Sequence, residues 1–257
     1  MKTILFLGYN SKKTKIINFL KKQKFKVKCS NKPLREKENL NIYDLIISFG
    51  YKHIINKKIL IKYKKPIINL HMSYLPFNKG AHPNFWSFME NTPSGVSIHE
   101  INEKLDSGNI ILQKLIYFDL YKNKQLTFKN TYETLFYELE NLFIKNFKKI
   151  FFKKYKTLKQ LENGTFHKAN QLPKKFIPSW NSKILKVKEK YLKHIIKKQN
   201  ARLLTINKIE NTRKSNNVNW MNLLKIAIKS NPTETIEVLK KINMDDNKIS
   251  NLFKKIN

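Results

Sequence analysis

The chain has 257 residues and a formal charge of +34, from 52 basic and 18 acidic side chains. That length can bury a sizeable core and suggests one enzyme domain with an extension or a small second domain. The single cysteine, Cys29, excludes an intramolecular disulfide and a zinc site built from several cysteines. No metal is therefore expected, and the compartment is read as reducing and cytoplasmic. Only Arg35, Arg202 and Arg213 are arginines; the other basic residues are lysines spread along a chain also rich in Ile and Asn. An AT-biased genome encodes that trio, so codon supply explains much of the charge. Arginine is the residue a dedicated nucleic-acid surface would use for bidentate contacts, so nucleic acid is not the expected partner. An anionic small substrate gains from the same field.

Residues Thr3–Leu7 form an apolar run ending at Gly8, which reads as a buried first strand. The apolar run is too short for a signal peptide, and no segment approaches membrane-spanning length, so no membrane partner is expected. Ile16, Ile17, Phe19 and Leu20 give a helical face, Phe25–Cys29 a second strand, and Asp44–Phe49 a third that ends at Gly50. A short helix fits Lys57–Tyr63, before the strand Ile67–His71. This order predicts an α/β fold with a doubly wound, mostly parallel, Rossmann-like sheet, whose ligands bind beyond the carboxyl ends of the strands. Val96–Ile101 and Ile110–Phe118 read as two more strands, and residues 127 to about 152 as a long helix. That helix carries Tyr132, Leu135, Phe136, Leu139, Leu142, Phe143 and Phe147 on its apolar side. After Gly164 the sequence becomes lysine-laced. Short helices are predicted over Val218–Ser230, Pro232–Ile242 and Asp245–Ile256, with Asn231 as N-cap, Pro232 at the first position and Glu234 completing a capping box. The expected division is a catalytic domain over 1–160 and a mainly helical C-terminal extension over 161–257.

The chemistry is concentrated between Ile68 and Gln113. If Ile67–His71 is a strand, period-two alternation puts Asn69 and His71 on one side, at the strand end. Asp106 follows in a Leu-Asp-Ser-Gly loop. An amide donor beside an imidazole, with a carboxylate arriving from a loop, suits acyl transfer to an amine.

This segment resembles the folate-dependent formyltransferases. Their pattern is roughly Asn-x-His-x-Ser-x-Leu-Pro, a basic residue and Gly, then Gly-Val-Thr-x-His and Leu-Asp-Thr-Gly-Asp. Here it reads Asn69-Leu70-His71-Met72-Ser73-Tyr74-Leu75-Pro76, Lys79-Gly80, Gly95-Val96-Ser97-Ile98-His99 and Leu105-Asp106-Ser107-Gly108-Asn109. The resemblance implies 10-formyltetrahydrofolate as donor, an amine as acceptor, and Asn69, His71 and Asp106 as the catalytic set. Asn69 and His71 would donate to the carbonyl oxygen, and Asp106 would take up the amine proton through water. The resemblance also implies that Ser73, Tyr74, Leu75 and Pro76, with Phe49, Gly50 and Tyr51, line the folate site. Lys79 stands where Arg is common, and Asn109 lacks the charge of the usual Asp.

The run from Ser73 to Ser87 is most similar to the enzymes that formylate nucleotide-linked amino sugars, which makes an amino sugar nucleotide the expected partner. Lys79, Asn84 and Trp86 are then candidate substrate contacts, though Asn84 and Trp86 read equally well as a helix start and a core side chain. Two alternatives stand beside this reading. One is formylation of methionyl-tRNA, which the charge favours and a helical tail disfavours. The other is a basic RNA-binding protein that kept the fold without the catalysis. A homodimer is compatible with the sequence.

Overall fold

The computed structural model describes residues 1–160, 164–172 and 179–253. The chain forms two compact units, Met1–Lys193 and a second beginning at His194, so the expected junction at 160/161 falls inside the first unit.

The first unit is built on a six-stranded sheet in the order β2-β1-β3-β4-β6-β7. Its strands are β1 (Thr3–Gly8), β2 (Lys26–Ser30), β3 (Leu45–Phe49), β4 (Ile67–His71), β6 (Gly95–Glu100) and β7 (Ile110–Leu115). The first four are mutually parallel, β6 runs antiparallel to β4, and β7 antiparallel to β6. Alternation along the strands feeds two cores. Ile4 and Phe6 of β1, Ile47 and Phe49 of β3, and Ile68 and Leu70 of β4 face one side with Val96 and Ile98. There they pack on Ile16, Ile17 and Leu20 of α1 (Lys15–Lys22) and on α4 (Phe128–Phe151), which buries Leu135, Leu139, Phe143, Phe147 and Ile150 at three- and four-residue steps. Leu5, Leu7, Ile46 and Ile67 face the other side, against Leu40, Tyr43 and Ile59 of α2 (Lys57–Lys62). Burial on both faces is the expected state of a parallel sheet, and it explains why these strands read as continuous apolar runs.

The two principal helices are joined by a buried carboxylate. No acidic residue lies in the first turn of α1. Glu140 of α4 supplies the charge instead, accepting from Thr14 Oγ1 at 2.7 Å and from the Lys15 N–H at 2.8 Å.

A second element pair lies beside β4. The two-residue strands β5 (Lys79–Gly80) and β8 (Phe166–His167) run parallel, and α3 (Pro83–Met89) follows β5. Phe85, Trp86, Phe88 and Met89 pack with Leu120, Phe128 and Ile184 in a smaller core.

The C-terminal helices differ from the sequence expectation. A single helix, α5, runs from Ile184 to Ser230, and its first turns belong to the first unit; α6 spans Pro232–Phe253. The short helix expected over Val218–Ser230 is the end of α5, and the two helices expected after Pro232 are one as far as Phe253; residues 254–256 of the second lie outside the described residues. Residues 184–230 contain neither Gly nor Pro, so nothing interrupts the backbone hydrogen bonding until Asn231-Pro232. At that break Asn231 Oδ1 accepts from the Glu234 N–H at 3.3 Å, while Glu234 accepts from the Asn231 amide at 2.7 Å. The reciprocal cap is therefore present, with the Asn side chain rather than its backbone as one donor.

Candidate active site

The last parallel strand, β4, ends in Asn69-Leu70-His71. Leu70 is buried in the helical core, which leaves Asn69 and His71 on the opposite side. The antiparallel partner β6 sets His99 directly opposite Asn69, next to a register irregularity at Ile98/His99. The loop between β6 and β7 delivers Asp106, held at φ +49°.

These four side chains form one hydrogen-bonded cluster. Asn69 Nδ2 lies 3.0 Å from His99 Nε2 and 3.1 Å from Asp106 Oδ1. His99 Nδ1 lies 2.8 Å from the Glu100 carbonyl, so Nδ1 carries the proton and Nε2 accepts from the Asn69 amide. Both Asn69 N–H groups are thus engaged. His71 Nε2 faces two acceptors, the Asn78 carbonyl at 3.3 Å and Asp106 Oδ2 at 3.6 Å, so its proton sits on Nε2. Asp106 Oδ2 also accepts from the Gly80 N–H at 2.8 Å. That approach requires glycine: Gly80 has φ +86°, and a Cβ there would lie 2.3 Å from the His167 carbonyl oxygen.

The Asp106 loop is fixed from behind. Gln160 Nε2 donates to the carbonyls of Asp106 at 2.9 Å and Gly108 at 2.7 Å, and Leu158 pairs with Ile110 through two backbone bonds of 2.8 Å. A Cβ on Gly108 would fall 1.7 Å from the Glu100 carbonyl oxygen, so the loop closes only with glycine at that position.

Burial disfavours the charged form of His71 and outweighs the opposing pull of Asp106, lowering its pKa from the ordinary 6.5. Burial would raise Asp106. The His71 imidazole and the Gly80 N–H override it and hold the carboxyl well below the ordinary 3.8. At neutral pH the site therefore pairs a neutral imidazole with a carboxylate. Both groups bind fewer protons folded than unfolded, so both contribute stability that acid removes. The His71 contribution is complete above pH 6.5 and is lost as pH falls through its lowered folded value. The Asp106 contribution is complete above 3.8 and is lost below that, towards its own lower folded value. Thermal midpoints measured against pH should therefore decline in two stages, and His71→Asn should flatten the upper stage and shrink the lower one, because His71 helps hold Asp106 down. An unchanged upper stage in that variant would show that another group causes it.

The cluster lies in a cleft of about 630 Å³ whose lining includes Asn69, His71, His99 and Asp106. Phe49, Gly50 and Tyr51 line it, as do Ile101 and Leu105. Burial also lowers the pKa of Lys79, against the pull of Asp106. Ser73, Tyr74, Leu75 and Pro76 are not among the lining residues. Ser73 and Leu75 are buried, and the cis Leu75–Pro76 peptide is tied to β6 and β7. Leu75 N–H donates to Ser97 Oγ at 3.1 Å, and Gln113 Nε2 donates to the Leu75 carbonyl at 2.6 Å. Asn84 uses its amide within the fold, donating to the Phe128 carbonyl and accepting from Thr131 Oγ1, both at 3.1 Å. Trp86 is buried and stacks on His167, with ring centroids 4.1 Å apart.

His99 and Gln160 are members of the site that residue reading missed. His99 stood in the quoted motif, and its role follows from a strand register that sequence alone does not fix. No local signal marked Gln160.

A family model described as formyl transferase matches residues 7–131. The structure of PseJ from Anoxybacillus kamchatkensis, solved with UDP-4,6-dideoxy-4-formamido-L-AltNAc and tetrahydrofolate, is 36% identical with a TM-score of 0.66. The match covers 72% of this chain and 97% of that one. The dTDP-4-amino-4,6-dideoxyglucose formyltransferase of Mycobacterium bovis is 34% identical over 80 residues, 31% of this chain and 33% of that protein. The methionyl-tRNA formyltransferase of Fusobacterium nucleatum is 42% identical over 72 residues, 28% and 23% respectively. The chain thus spans about a quarter to a third of the length of the curated relatives it matches. Among the described residues, no helix is long and apolar enough to cross a membrane.

Proposed function

The chain belongs to the formyl transferase family, and on that premise we propose that it transfers a formyl group from 10-formyltetrahydrofolate to the amine of a nucleotide-linked amino sugar. The observation that carries this reading is the Asn69–His71–Asp106 cluster in the wall of the cleft. The near full-length match to PseJ, whose structure holds a formamido-sugar nucleotide and tetrahydrofolate, supports the acceptor and the donor.

In this mechanism the neutral amine of the sugar attacks the formyl carbon. The C–N bond forms as the carbonyl π pair moves to oxygen. His71 Nε2–H, whose present contacts are long at 3.3 and 3.6 Å, turns to that oxygen. Asn69 can join it only by exchanging one of its two existing bonds, so part of its role is to hold Asp106 and His99 in place. Asp106, ionised at neutral pH, accepts the ammonium proton through water. Collapse of the intermediate then expels N10 of tetrahydrofolate, which takes a proton back. Phe49, Gly50 and Tyr51 would wall the folate, while Ser73, Tyr74, Leu75 and Pro76 would shape its site from behind rather than touch it.

The methionyl-tRNA relatives and the charge of +34 favour a second reading, formylation of charged tRNA. Mass spectrometry of the acceptor separates the two. Incubation with 10-formyltetrahydrofolate and a panel of UDP- and dTDP-linked amino sugars should yield one product carrying a single added formyl group. Formylated methionyl-tRNA with no sugar product would establish the second reading. Neither product, with retained RNA binding, would leave a non-catalytic protein.

A further inference from the structure

Two ligands must meet at His71, and a second cavity adjoins the catalytic cleft; a third pocket, lined also by Lys129 and Glu133, shares Tyr132 and Trp180 with the second. The second, of about 420 Å³, shares Tyr9, Met72 and Pro83 with the catalytic cleft. Its character is different. Phe85, Phe128, Tyr132 and Trp180 give it aromatic walls, and no Asp, Glu, Lys or Arg is found among its described lining residues. Asn84, its one amide, is already paired within the fold. Such a cavity suits a flat, uncharged part of a ligand, with the His82 imidazole as its one basic group.

Trp180 stands out within it. It is 58% exposed, so a ligand can reach it. Its ring meets Tyr132 edge-on, with centroids 4.8 Å apart at 81°, so one indole face is free of that neighbour. The backbone beneath it is fixed. The Trp180 carbonyl accepts from the Lys129 N–H at 2.7 Å, the Ser182 carbonyl accepts from Phe128 N–H at 3.3 Å, and Thr127 bridges Lys183. The indole is thus presented from a segment tied to the first turn of α4. Tyr132 is braced in turn by the Tyr9 hydroxyl at 3.1 Å.

We propose that this aromatic cavity is the nucleobase subsite of the acceptor, with Trp180 as the platform on which the base stacks. The inference rests on the nucleotide-sugar reading of the function. The larger cleft, lined by Asn69, His71 and Asp106 together with Phe49, Ile101, Leu105 and the charged Lys52, Lys104 and Lys168, is left for the folate.

The test is binding by isothermal titration, using UDP and dTDP as probes. Inorganic pyrophosphate serves as a base-free control and tetrahydrofolate as a donor control. Stacking on one aromatic ring makes Trp180→Ala cost roughly five- to a hundredfold in UDP or dTDP affinity. Pyrophosphate and tetrahydrofolate should bind that variant as they bind the wild type, and Trp180→Phe should recover most of the loss. Equal nucleotide affinity in wild type and Trp180→Ala would overturn the subsite while leaving the proposed function standing. An equal loss of pyrophosphate binding would show that the residue acts on structure rather than on a base. A loss confined to tetrahydrofolate would assign the cavity to the donor instead. No binding of either nucleotide by the wild type, and no formylated sugar nucleotide, would overturn the subsite and the proposed function together.

Discussion

Asp106→Asn is expected to lower turnover by at least about a hundredfold, the lower end of what a positioned acid–base group contributes. The substitution looks conservative but is not so in this setting. Both carboxylate oxygens accept hydrogen bonds from groups that can only donate. Oδ2 takes the Gly80 N–H at 2.8 Å and Oδ1 takes the Asn69 amide at 3.1 Å. An Asn side chain must turn its own NH₂ towards one of them and leave that donor unpaired. This costs roughly 1–3 kcal/mol where water cannot replace the partner. The variant therefore loses proton uptake and part of its loop anchoring together. Thermal midpoints separate the two effects, and single-turnover rates at saturating formyl donor measure the first. Ser107→Ala provides the contrast. Its hydroxyl is exposed and donates only to the Leu105 carbonyl at 3.0 Å, so both readouts should stay close to wild type. Near wild-type turnover in Asp106→Asn would remove Asp106 from proton transfer and leave it an orienting role.

The sheet was legible because burial on both faces writes itself into the chain as apolar runs. Thr3–Leu7 and Ile67–His71 were readable within a residue of their observed ends, as was the stripe of α4 from Leu135 to Phe147. The ends of the strands also showed where polar groups could gather. Asn69 and His71 were visible as a pair because period two is a property of the backbone. What could not be read depends on partners distant in sequence. His99 joins the cluster through its pairing with Asn69, and a shift of one residue in that register would turn it away. Gln160 reaches the Asp106 carbonyl across 54 positions of chain. Ser73 and Leu75 carry the family pattern but are buried, because Ser97 and Gln113 on neighbouring strands draw the cis-Pro turn inwards. The tail misled for the opposite reason. Lysine and asparagine are spread so evenly over residues 184–230 that no local apolar stripe marks α5, and its length follows from the lack of any residue that would stop it.

His71→Ala carries the heaviest consequence. Loss of one well-placed donor to a developing oxyanion typically lowers turnover by about a hundred- to a thousandfold. The geometry supports assigning that donor to His71 above Asn69. Both Asn69 N–H groups are held at 3.0 and 3.1 Å by His99 and Asp106, whereas His71 Nε2–H has only longer contacts, of 3.3 and 3.6 Å. A donor in weak bonds gives up little when it turns to a stronger acceptor, and a neutral imidazole does so without adding a buried charge. Burial keeps His71 in that neutral form at physiological pH. The side chain sits at the end of β4, facing the cleft, and belongs to none of the apolar clusters, so the fold should survive its removal. Turnover at saturating formyl donor should therefore collapse while tetrahydrofolate affinity and the thermal midpoint at neutral pH change little. His71→Asn, which restores a shorter N–H donor, should fall between Ala and wild type. Asn69→Ala should also be slow, but with a loosened Asp106 loop that lowers the midpoint as well, since it strips a partner from two side chains at once. If folded His71→Ala turns over near the wild-type rate, the developing oxyanion is stabilised elsewhere, and the mechanism built on this cluster fails.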